Sequence, residues 1–109
     1  MPEEATTAVL HVSDNADDVS RAVSAAETLV EANGSLAVRI VVNGPALAGV
    51  TTSARLLAPG PRTTIEACDQ GMQRRSIPRE ALQPAVHTVG SAVVALVEAQ
   101  LHGAAYVRI

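Results

Sequence analysis

Short continuous apolar runs alternate along this chain with stretches in which apolar residues recur at spacings of three and four. Ala8 to Val12 is the first run and reads as a strand; the oxygen-bearing Ser13-Asp14-Asn15 after it suits a turn and a helix N-cap. From Asp17 to Asn33, the residues Val19, Ala22, Val23, Ala26, Leu29 and Val30 form one stripe of an amphipathic helix. Asp17 and Asp18 stand at the end where the helix dipole favours negative charge, and Asn33-Gly34 supplies the left-handed residue expected to end it. Leu36 to Val42, interrupted only by Arg39, is a branched apolar run of the kind found in parallel sheets. Asn43-Gly44-Pro45 breaks that strand, Ala46 to Leu57 is weakly patterned with room for one short helix, and Pro59-Gly60-Pro61 is a firm stop. Thr63 to Ala67 is a third strand that delivers Cys68 at its C-terminal end. Asp69 to Ser76 is compatible with helix, Pro78 to Leu82 makes a further turn with proline at its first position, and Ala85 to Val89 is a fourth strand. Gly90-Ser91 opens a last helix, Ala92 to Leu101, whose expected buried side is Val93, Val94, Leu96, Val97 and Leu101. Gly103 closes it and Ala105 to Ile109 is a fifth strand. Strands alternating with helices predict one α/β domain over residues 1–109, a three-layer α/β/α sandwich around a five-stranded, mostly parallel sheet.

Composition then narrows the chemistry. The chain has 109 residues, 48% of them apolar, enough for one modest core. All eight basic residues are arginines, so a Schiff-base lysine and a Walker A loop are both excluded. The formal net charge is -3 and Tyr106 is the only aromatic residue, which argues against nucleic acid as a partner. One cysteine, Cys68, excludes an internal disulfide and a cysteine-rich zinc site. The start, Met1-Pro2-Glu3-Glu4, is acidic and unlike a signal peptide, and an odd thiol without secretion points to a reducing cytoplasm. The longest apolar stretch, Ala92 to Val97, is far short of the ~20 residues of a bilayer span, so no membrane partner is expected.

Cys68 is the leading candidate for chemistry, because ligands of open parallel sheets sit outside the carboxyl ends of the strands. A helix starting just after it would aim free amide groups at the sulfur and favour the nucleophilic thiolate. Glu66 points to the same side of the strand and opposes that effect, with Arg74 and Arg75 as candidates to offset it. Asn43 and Gly44 would stand beside Cys68 if strands two and three are neighbours. Gln70 offers an amide donor, and His11 lies near the end of the first strand, where it can line the same edge. His87 and His102 have no metal-ligand spacing with each other or with Cys68, so no metal site is expected.

Several segments in order resemble the DsrE/DsrF-like proteins of intracellular sulfur transfer. They are Val9-Leu10-His11-Val12 with its acidic turn; Val41-Val42-Asn43-Gly44-Pro45; Ile65-Glu66-Ala67-Cys68 with Met72 and Ile77 behind it; and Gly90-Ser91-Ala92-Val93-Val94 leading to Glu98 through Arg108. The resemblance implies a DsrE-like fold, a persulfide carried on Cys68, assembly into trimers or hexamers, and sulfur donor and acceptor proteins as partners. Where the family usually has Asn, then Ser or Thr, then Leu or Met from two residues after the cysteine, this chain has Gln70, Gly71 and Met72. The expected function is therefore sulfur transfer on one cysteine, an exchange that needs no cofactor. The alternative is a non-catalytic oligomeric module of the same fold, in which Cys68 is inert and the cleft binds a small ligand or nothing.

Overall fold

A computed structural model describes residues 6–109, so the acidic start Met1–Glu4 lies outside the described residues. Five strands, β1 (Thr7–Val12), β2 (Ala37–Val42), β3 (Thr63–Cys68), β4 (Val86–Val89) and β5 (Ala105–Arg108), form one sheet in the order β4-β3-β2-β1-β5. Every neighbouring pair is parallel. The α-helices are α1 (Asp18–Ala32), α2 (Asp69–Arg74) and α3 (Ala92–Leu101), with 3-10 helices at Gly44–Val50 and Arg79–Ala81.

The strand order dictates which face each helix covers. The steps from β1 to β2, β3 and β4 all move the same way across the sheet. Right-handed crossovers therefore put α1, the Gly44–Val50 helix and α2 on one face. The return from β4 to β5 runs the other way, and the same rule sends α3 to the opposite face. The larger core lies on the first face, with Leu10, Ile40, Ile65 and Met72 packed against Val19 and Leu47. Val9, Val41, Cys68, Ala92, Leu96 and Ala99 make the smaller core beneath α3.

Two local expectations are corrected. The end of α1 uses no left-handed residue: Asn33 is extended at φ -146°, its N–H reaches Leu29 O at 3.0 Å, and its side-chain oxygen accepts from Ser35 N at 3.1 Å. The orphan groups are satisfied without a positive φ, so Gly34 has none to supply. The second correction concerns α3. Its buried residues are Ala92, Ala95, Leu96 and Ala99, while Val93, Val94, Val97 and Leu101 point outward at 66%, 54%, 50% and 78% exposure. Small alanines let the helix axis approach the sheet closely, and the two polar residues, Glu98 and Gln100, are too few and too far apart around the helix to outline a polar face.

The weakly patterned segment after Val50 is anchored by a residue that no motif marked. Gln83 is buried; its oxygen accepts from Leu57 N at 2.8 Å and its Nε2 donates to Thr51 O at 3.0 Å and Arg55 O at 2.9 Å. Leu57 is thereby held in the main core.

Candidate functional site

Cys68 ends β3 at the one place where adjacent connections leave the sheet in opposite directions. After β3 the chain turns into α2 on one face, and after the neighbouring β4 it turns into α3 on the other. Such a divergence opens a crevice beyond the strand ends. A cleft of about 450 Å³ occupies it, with Cys68 in its lining.

Two backbone amides converge on the sulfur. Gly71 N–H, in the first turn of α2, donates to Cys68 Sγ at 3.4 Å, and Ala92 N–H, the first residue of α3, donates at 3.3 Å. Both donors are helix-end amides with no partner inside their own helices. Gln70 N–H donates to Gly90 O at 3.2 Å and ties the two helix starts together around the thiol. The cysteine keeps 6% exposure as a residue. The sulfur is thereby held as an acceptor by two fixed backbone dipoles.

Of the residues singled out from sequence, Asn43, Gly44, Cys68, Gln70, Arg74 and Arg75 line this one cleft. Gly44 brings its segment there by a left-handed turn at φ +58°, where a Cβ would meet Ser13 O at 2.9 Å. The backbone amide of Asn43 is already committed to Val12 O, so its side chain is what faces outward chemistry. His11 is not in the cleft lining; it stands behind Asn43. Because the Asn43 oxygen only accepts, His11 Nε2 donates to it at 2.9 Å, and His11 Nδ1 accepts from the Tyr106 hydroxyl at 2.8 Å. This chain from β5 through β1 to β2 occupies the Asn43 oxygen and leaves its Nδ2 donors for the cleft.

The charge beside Cys68 is handled differently from expectation. Glu66 does share the α3 side of the sheet, but Arg39 offsets it, not Arg74 or Arg75: Arg39 Nε and Nη2 reach the two carboxylate oxygens at 2.9 and 2.6 Å. The Arg39 guanidinium is raised above its ordinary pKa chiefly by these hydrogen bonds, against the opposing effect of burial. Sequence reasoning missed this pairing although a signal exists, since each residue is the charged interruption of its strand on the same face, two positions apart diagonally. It also missed Ser91, Ala92 and Val93 as cleft residues, because they reach Cys68 only through the pairing of β3 with β4. His87 is exposed in β4, and His102 Nδ1 lies 2.8 Å from Glu98 O at the end of α3. Among the described residues no group of three or more His, Cys, Asp or Glu is placed to hold a metal ion, and no helix is long and apolar enough to cross a membrane.

No family model matches this chain, and no curated protein matches it by sequence. Solved structures do. A protein of unknown function from Methanobacterium thermoautotrophicum, MTH1491, superposes with a TM-score of 0.85 at 20% identity over 95% of this chain and 99% of its own. The ychN protein of E. coli superposes with a TM-score of 0.71 at 14% identity, over 95% of this chain and 100% of its own. At these identities the likeness is one of fold: a five-stranded parallel sheet flanked by helices.

Proposed function

We propose that the chain is a sulfur carrier of the DsrE-like kind, in which Cys68 accepts a sulfur atom as a persulfide and passes it to an acceptor thiol. The observation that carries this reading is the pair of amide donors from Gly71 and Ala92 on Cys68 Sγ at the cleft of a sheet-end switch point. In the exchange, the Cys68 thiolate attacks the outer sulfur of a donor persulfide. The donor S–S bond breaks, the donor leaves as its own thiolate, and a Cys68 persulfide remains; a second attack by an acceptor thiolate on the outer sulfur returns Cys68 to its start. No net oxidation occurs and no cofactor takes part. Asn43 and Gln70 would supply side-chain donors to the outer sulfur, with His11 orienting Asn43 and Gly44 shaping the rim. A persulfide of this type operates in a reducing compartment, the cytoplasm.

The carrier acts as a homo-oligomer. Support comes from α3, whose outward residues Val93, Val94, Val97 and Leu101 leave an apolar stripe on a helix already apolar on its inner side. A helix with apolar residues on both its inner and outer sides is ordinarily covered on both, and a second copy is the occupant that the resemblance implies.

Intact mass after incubation with a low-molecular-weight persulfide donor tests the carrier reading. The wild type gains one sulfur mass and Cys68→Ser gains none, while the variant keeps its fold because the side chains differ little in volume. A wild type that gains nothing until denatured, with its cysteine residue only 6% exposed, replaces the carrier with the inert-module reading.

A further inference from the structure

The protein carries a net charge of -3, yet its Cys68 cleft is lined by two arginines, Arg74 and Arg75, and by no carboxylate. Both side chains are exposed, and neither makes an ion pair among the described residues, whereas Arg21, Arg39, Arg79 and Arg108 each do. The two acids nearest Cys68 in sequence are turned to other partners. Glu66 is taken by Arg39, and Asp69 is taken by Arg79 at 3.7 Å and Gln73 at 3.1 Å. Asn43 adds amide hydrogens, because His11 holds its oxygen. Uncompensated cations, oriented donors and an absence of acids, gathered in one cavity of an acidic protein, are the electrostatic complement of a small anion.

We propose that this cleft selects low-molecular-weight sulfane-sulfur anions of the thiosulfate class, with Arg74 and Arg75 supplying the charge and Asn43 Nδ2 a hydrogen bond to the anionic head. The inference rests on the reading of Cys68 as a sulfur acceptor. The Cys68 thiolate attacks the sulfane sulfur of thiosulfate, the S–S bond breaks, and sulfite departs with the bonding electron pair. Charge is conserved, the protein is left as a persulfide, and neither oxidant nor reductant is consumed. At about 450 Å³ the cavity sits toward the small end of the roughly 300–1,000 Å³ usual for ligand sites.

Selectivity for charge is read without any sulfur transfer, by comparing Cys68 alkylation by iodoacetate, an anion, with alkylation by iodoacetamide, its neutral analogue. The ratio of the two rate constants falls about tenfold from wild type to Arg74→Gln/Arg75→Gln, is kept by Arg74→Lys/Arg75→Lys, and shrinks with added salt. Thiosulfate adds one sulfur mass to the wild type, with a similar loss of rate in the glutamine pair. Circular dichroism establishes that both pairs fold. An unchanged alkylation ratio, or a glutamine pair that loads from thiosulfate as fast as wild type, overturns the inference. If a persulfide donor loads Cys68 and thiosulfate does not, the anion inference alone falls; if neither loads it, the carrier reading falls too.

Discussion

Arg39 and Glu66 illustrate how single residues are matched on the sparsely covered side of the sheet. Their bidentate contact is partly buried, with side-chain exposures of 32% and 12%. Removing either charge leaves the other desolvated without its partner. Glu66→Gln is expected to cost about 1–2 kcal/mol in urea unfolding, and a double-mutant cycle with Arg39→Gln to give a coupling of about 1 kcal/mol. The sign of the pH dependence follows from the raised Arg39 pKa. A cation raised in the folded state contributes fully below its unfolded pKa and loses that contribution only as pH climbs through the folded value. Neutral pH lies far below both, so the coupling is expected to be equal at about pH 6 and about pH 9. Arg39 stands out in the sequence as the one interruption of its strand and Glu66 as a carboxylate on the Cys68 side of the next, but their meeting depends on register.

At the scale of elements, the two sides of α3 respond oppositely to substitution. Ala95→Val or Ala99→Leu pushes volume between helix and sheet and is expected to destabilise by about 1–3 kcal/mol. Val94→Arg with Val97→Arg alters only the outer stripe, and the isolated subunit is expected to lose less than about 0.5 kcal/mol. Gln83 governs a different element, the segment from Thr51 to Leu57. Gln83→Leu matches its bulk but abandons three backbone partners, with an expected loss of about 2–4 kcal/mol in chemical denaturation. The approach of the Gly44–Val50 helix to the start of α1 is equally unforgiving. A Cβ on Gly49 would lie 2.3 Å from Ala16 O, and Gly49→Ala is expected to lower stability by about 3 kcal/mol, read as a shift of the unfolding midpoint.

For the whole molecule, the proposed assembly would tie the outer stripe of α3 to stability. The thermal midpoint of the wild type is expected to rise with protein concentration, since binding of copies to one another stabilises the native state by mass action. The Val94→Arg/Val97→Arg pair is expected to abolish that dependence and to run as a monomer in light scattering at micromolar concentration. A wild type whose midpoint ignores concentration, and which scatters as a monomer, removes the homo-oligomer. Val93 joins this scale to the site, because it lies both in the outer stripe and in the cleft lining.

The sequence alone determined the order and kind of the elements and the placement of Cys68 at the end of a strand with a helix following. These depend on local period, on turn residues such as Pro59-Gly60-Pro61, and on backbone rules that act over a few residues. Tertiary structure decided the rest. Strand order made the ends of β3 and β4 a switch point, and only then did Ala92 N–H reach the sulfur that Gly71 N–H already served. Strand register joined Arg39 to Glu66 and left Arg74 and Arg75 to the cleft. The face of α3 was hard to read from its residues, because its only polar residues, Glu98 and Gln100, lie far apart around the helix and outline no continuous polar side; close packing of alanines against the sheet settled it.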